Sequence, residues 1–134
     1  MRSDKQLVQR WLVASREDLL VARKIGVRHA LRAMAIAYEA GLRTCLGLLN
    51  LDGQRVRDQP GHHRAAIEGA GAVLGEAFWP LLRRLDAARR LRNESLYGSP
   101  PSIPTRVREQ LIGDVERLLS ELERRLPRRS RSAG

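Results

Sequence analysis

A single cysteine, Cys45, leaves this 134-residue chain without the means for an internal disulfide. Its place inside an apolar helical pattern marks a buried thiol rather than a nucleophile. Aromatic residues are scarce too, and Trp11, Tyr38, Phe78, Trp79 and Tyr97 are all there are. β-Branched residues are sparse while leucine, alanine and arginine abound, a balance that favours helix over strand. No stretch is apolar for the ~18 residues a membrane span needs. The opening Met1-Arg2-Ser3-Asp4-Lys5-Gln6 leads into an amphipathic helix and not a secretory signal, so the expectation is a cytoplasmic protein with no membrane contact. Histidine is limited to His29, His62 and His63. Two adjacent histidines point about 100° apart on a helix, and no other Cys or His lies nearby in sequence, which excludes a metal site. Gly69-Ala70-Gly71-Ala72 with Gly75 lacks the Gly-Lys-Ser/Thr ending and the preceding strand of a phosphate loop, and reads as close helix packing and a C-cap. No cofactor is called for.

Lysine is the last absence. Of 25 basic residues only Lys5 and Lys24 are lysines, and with 15 acids the formal net charge is +10. The planar guanidinium fork suits phosphates and carboxylates, so RNA, DNA or an acidic protein are the partners such a surface fits. Genomic composition or heat adaptation replacing lysine gives the same balance, so charge alone selects no partner.

What is present reads as one helical domain over residues 1–126, followed by a basic, disordered tail over 127–134. A first helix starts after Ser3 or Asp4 as N-cap and runs to about Ile25, with Leu7, Trp11, Leu12, Leu19 and Ala22 as its apolar positions. Ser15 to Asp18 offers a second start. Residues 28 to 50 carry the stripe Leu31, Met34, Ala35, Tyr38, Leu42, Cys45, Leu46 and Leu49, which predicts a central buried helix. A polar loop to Gly61 precedes a short helix over 62–75. Phe78-Trp79-Pro80 opens a fourth helix that carries Arg83, Arg84, Arg89, Arg90 and Arg92, the strongest basic feature of the chain. After the stiff connector Ser99-Pro100-Pro101-Ser102-Ile103-Pro104, Leu111, Val115, Leu118, Leu119 and Leu122 place a packing helix that ends near Leu126.

One position breaks the pattern. Leu81, Leu85 and Ala88 form an apolar stripe on the fourth helix, and Arg92 falls on its centre. A guanidinium there is costly unless it is paired, exposed in a cleft, or facing a second subunit. Glu39 is the first carboxylate to consider as its partner, and a snorkelling aliphatic stem is the other plain solution. Either His62 or His63 is a candidate proton-transfer group at a helix start, against a plain capping or surface role.

Arg92-Asn93-Glu94-Ser95-Leu96-Tyr97 resembles the Arg-Asn-x-x-x-His motif that HEPN domains carry near the end of their fourth helix, with Tyr97 in place of the histidine. Trp11-Leu12, Ser15, Asp18-Leu19 and Ala22 resemble that family's opening helix, and Tyr38-Glu39-Ala40 with Arg43 its Ala-x-Glu-Lys-x-Leu-Lys stretch. The resemblance spans most of residues 8 to 125. It implies an all-α, up-and-down bundle of four to five helices and a homodimer whose two motifs meet in one cleft. Many HEPN proteins are metal-independent ribonucleases, often paired with a nucleotidyltransferase-type antitoxin or set in defence systems. Carried over residue by residue, Arg92 takes the phosphate or transition-state charge, Asn93 a supporting hydrogen bond, and Tyr97 the position of the proton shuttle. Arg83, Arg84, Arg89 and Arg90 complete an RNA-binding face. Tyrosine titrates near ~10 against ~6.5 for histidine, so Tyr97 is a poor general base at neutral pH. The expectation is therefore an RNA-binding HEPN-like dimer with absent or weakened chemistry, the alternative being an active ribonuclease using Arg92 and Tyr97, or His62 or His63 as a substitute shuttle.

Overall fold

The computed structural model describes residues 4–54, 62–97 and 102–127, with 94–97 described by backbone alone. Among the described residues it is all-α, with no strand and five helices: α1 (Lys5–Ile25), α2 (Ala30–Leu51), α3 (His62–Leu74), α4 (Trp79–Tyr97) and α5 (Thr105–Arg125). The basic tail beyond 127 and the connector over 98–101 lie outside the described residues, as does Gly61.

Asp4 caps α1, its carboxylate accepting from the Leu7 amide at 2.9 Å, so one of the helix's orphan N–H groups is satisfied. The second start offered by Ser15 and Asp18 is not used, and α1 runs through both. Arg43 of α2 engages the two side chains, donating to Ser15 Oγ at 3.2 Å and to Asp18 Oδ2 at 2.9 Å. Their polar atoms serve a helix contact and no longer compete for the backbone.

α2 is the central helix and is packed by the other four. Tyr38, Leu48 and Leu49 on it are fully buried, as are Leu81, Leu85, Leu118, Leu119 and Leu122 on α4 and α5. Close approach depends on its small residues: a Cβ added at Gly41 would lie 2.8 Å from Leu85 Cδ1 and 3.1 Å from Val115 Cγ2. Cys45 is buried here, and burial pushes its thiol up to about 12.

Gly75 closes α3 at φ +89°, its N–H bonding the Gly71 carbonyl at 2.9 Å, in an extended positive-φ conformation that glycine adopts without strain. A 3-10 turn over Glu76–Phe78, not foreseen in the sequence, then leads into α4, with Pro80 in its first turn. α3 and α4 lie alongside in opposite senses, Gly71 beside Trp79 near the turn and His63 in the field of Arg89 and Arg92 at the far end. On α5, the buried Arg108 donates to the Gly26 carbonyl at the end of α1, supplying a cation to that helix terminus. No helix among the described residues is long and apolar enough to cross a membrane.

Candidate functional site

Where the apolar stripe of α4 runs out after Ala88, α2, α3 and α4 bring their polar groups together. Arg92 meets Glu39 of α2 at 2.9 Å, the carboxylate that the sequence put first. Both side chains stay partly open to water, at 35 % and 38 % exposure, so the pair is screened and exchangeable. The Arg92 guanidinium also stands over the Tyr38 ring, 5.7 Å from its centroid, a cation–π placement that holds it against α2.

Tyr38 lies one residue from Glu39 and is fully buried, and its hydroxyl shares a 2.9 Å hydrogen bond with Nδ1 of His63. A buried phenol requires such a partner. Burial, reinforced by Glu39, holds the Tyr38 phenol far above its ordinary range, so it stays protonated. His63 moves the other way. Burial, His62, Arg92 and Arg89 all disfavour a positive imidazole, and together they outweigh Glu39, so its pKa falls below the ordinary value and the ring is neutral at pH 7. His62 stacks edge-on against His63 with ring centroids 4.3 Å apart. Among the described residues no group of three or more His, Cys, Asp or Glu could hold a metal ion.

The arginines of α4 are more fully occupied than their number suggests. Arg84 forms a two-pronged pair with Asp114 of α5 at 2.7 and 2.9 Å. Arg89 and Arg90 both bond Asp86, at 2.8 and 2.9 Å. Burial raises the Asp86 carboxyl, but the two arginines prevail and hold it below the usual carboxylate range. Arg83 has no ion pair among the described residues and is exposed. Asn93 is exposed beside Arg92, and Tyr97 is the last residue of α4, its side chain outside the described residues.

Arg92 and His63 are thus brought to one place, while Arg83 and Arg84 lie further back along α4. Sequence reasoning missed Tyr38 as a site residue, reading it only as part of the α2 stripe. The available signal was its hydroxyl, since a tyrosine on the innermost face of a central helix must find a polar partner. Asp86 was missed as well, although its spacing of three and four to Arg89 and Arg90 is that of helical ion pairs. Comparison with protein-family models, curated proteins and solved structures finds no match to this chain.

Chemically, the cluster offers a cation able to exchange a carboxylate for a phosphate, a neutral imidazole, and a phenol that fixes that imidazole's orientation. The ring's second nitrogen, Nε2, is an acceptor when Nδ1–H donates to the Tyr38 oxygen, and a donor when the Tyr38 hydroxyl donates its hydrogen bond to an unprotonated Nδ1.

Proposed function

We propose that the chain is a HEPN-like, cytoplasmic helical protein of toxin–antitoxin or defence type that binds RNA as a homodimer, with its chemistry absent or weakened. The observation that carries this reading is Arg92: a guanidinium at the end of a buried stripe, one-third open to water, held by a carboxylate that a phosphate can displace. RNA phosphate is the matching ligand because the fork accepts either anion in the same geometry. The homodimer has separate support on α1, where Val13, Leu20 and Val21 are large and exposed, with Val27 exposed in the turn that follows. The test is anisotropy of a labelled single-stranded RNA over a range of salt. Binding should weaken steeply with salt, and Arg92→Ala should lower both affinity and the salt slope by about 0.7. Salt-independent binding, or a slope unchanged by Arg92→Ala, would refute the assignment.

A second reading, active ribonuclease, is favoured by the Tyr38–His63 hydrogen bond. His63 sits neutral beside Arg92 and Arg89, in the protonation state a general base needs. In that reading the imidazole takes the proton of a ribose 2′-hydroxyl and the 2′-oxygen attacks the adjacent phosphorus. The P–O5′ bond breaks, the 5′-oxygen is protonated, and a 2′,3′-cyclic phosphate remains, with Arg92 balancing the charge on the phosphoryl oxygens. Tyr97 is then dispensable. Incubation with RNA in EDTA decides: cleavage lost in both Arg92→Ala and His63→Ala but kept in Tyr97→Phe supports it. No cleavage by wild type, with cleavage gained in Tyr97→His, supports the binding reading.

A further inference from the structure

Between α3 and α4 lies an open cleft of about 460 Å³, one wall of which is the indole of Trp79. Ile67, Gly71 and Leu82 make its apolar floor. Trp79 is 46 % exposed, the only aromatic among the large exposed hydrophobic side chains of the described residues. It is nonetheless fixed: Nε1 donates to the Gly71 carbonyl at 3.1 Å, and a Cβ added at Gly71 would sit 3.5 Å from its Cδ1. The neighbouring Phe78 has no part in this wall, being engaged by Arg117 of α5 at 4.6 Å. An exposed ring whose two side-chain torsions are already set loses little freedom on stacking, which makes it an effective platform.

The rim decides what stacks there. Arg64 and Arg83 border the cleft together with Glu68 and Asp86. Glu68 is matched by Arg64, and Asp86 is shared by Arg89 and Arg90. The cleft itself is lined by two guanidiniums and two carboxylates, but Asp86 is already neutralised by Arg89 and Arg90 from outside the cleft, so the local balance is positive, and Arg83 is the cation without an ion pair among the described residues. An aromatic wall under an excess of positive charge matches a flat ring joined to an anion. The same combination fits an apolar partner helix or an acyl chain poorly, since neither brings the phosphate.

We infer that this cleft seats an unstacked base of single-stranded RNA, the base lying on Trp79 and an adjoining phosphate held by Arg83. The inference rests on the RNA-binding reading above and places the strand. From Trp79 to Arg92 is about 20 Å along α4, and Arg92 faces α2 while Trp79 and Arg83 border α3, so the platform is a contact separate from the Arg92–Glu39 pair and is tested apart from it. A duplex keeps its bases stacked and cannot use the platform.

The experiment uses the full chain, a labelled single-stranded RNA octamer and an RNA duplex of the same composition, with anisotropy and tryptophan emission read together. Wild type should bind the single strand more tightly than the duplex, with emission quenched on binding. Trp79→Leu should lose about tenfold or more in affinity together with the quenching, Trp79→Phe should keep most of the affinity, and Arg83→Gln should weaken binding and lower the salt slope. Circular dichroism and thermal midpoints confirm that the exposed substitutions leave the fold intact. Salt-dependent RNA binding that needs Arg92 but is indifferent to Trp79→Leu, or that takes duplex and single strand equally with unchanged emission, overturns the inference and leaves the RNA reading standing. No binding of either RNA by wild type overturns both.

Discussion

If Arg92 trades Glu39 for an RNA phosphate, neutralising Glu39 should strengthen RNA binding and not weaken it. The two side chains are 2.9 Å apart but about one-third exposed, so solvent screens the pair and its worth is at most about 1 kcal/mol. A phosphate must overcome that attraction and also approach the carboxylate it displaces. Glu39→Gln removes both obstacles while keeping the side chain's shape, and about 1 kcal/mol corresponds to about a fivefold gain in affinity. The same substitution should lower the thermal midpoint by no more than about 6 °C. The assay is anisotropy with single-stranded RNA on four proteins: wild type, Glu39→Gln, Arg92→Ala and the double variant. In the Arg92→Ala background the gain from Glu39→Gln should shrink to less than about twofold, the effect of one charge on a highly charged ligand. Equal gains in both backgrounds would mean that Arg92 does not handle phosphate, and weaker binding by Glu39→Gln alone would mean that the carboxylate itself contacts the RNA.

Gly41→Ala should destabilise the fold by about 1–3 kcal/mol in urea melts, because the new methyl meets Leu85 and Val115, both fully buried and without room to withdraw; a neutral substitution would show that α2 and α4 have slack. The depressed His63 pKa has a definite sign: its contribution to stability is fully present above the ordinary value of 6.5 and is lost as pH falls through the lower folded value. Wild type should therefore lose more of its thermal midpoint than His63→Asn between about pH 7 and about pH 5, and parallel losses would refute the assignment of a neutral, buried-edge imidazole. Leu20→Glu, on the exposed face of α1, should convert a dimer to monomer in sedimentation without changing helicity, and an unchanged dimer would move the interface elsewhere.

Helix positions were legible because the signals were local. Asp4 as N-cap, Pro80 at the start of α4 and the leucines of α5 each act within a turn or two, and the structure places them as their spacing requires. Of the α2 stripe, Met34, Tyr38, Leu42, Cys45 and Leu49 are buried while Leu31, Ala35 and Leu46 are only partly so, the core lying also on Leu48 and the small residues Ala33, Ala37 and Ala40. The Arg92–Glu39 pair was legible for a different reason: a charge on an apolar stripe demands a counter-charge, and α2 offers one at its least buried edge. The Tyr38–His63 bond was not legible, because it joins residues 25 apart in sequence across a loop whose course no local rule fixes. Nor was the pairing of Arg84 with Asp114, which depends on how α4 crosses α5. The 3-10 turn over Glu76–Phe78 was hidden because Phe78 and Trp79 read alike in hydrophobicity, while the structure sends one toward Arg117 and the other into the α3–α4 cleft.

That division of labour bears on what the arginine richness is for. Arg16 and Arg23 tie α1 to α5, Arg43 ties α2 to α1, and Arg84 ties α4 to α5, each through a carboxylate on the neighbouring helix. Part of the +10 chain's guanidinium content is therefore structural, and where the planar fork bonds a carboxylate at two points, as Arg84 does, arginine serves better than lysine without any ligand. A functional reading has to rest on cations outside that network or held loosely within it. Arg83 has no ion pair among the described residues, and Arg92 bonds Glu39, itself partly exposed, near an imidazole kept neutral by its surroundings. Both lie on α4, Arg83 on the cleft beside α3 and Arg92 on the opposite face toward Glu39 of α2, so any polyanion drawn in by the net charge finds its exchangeable contacts on this one helix.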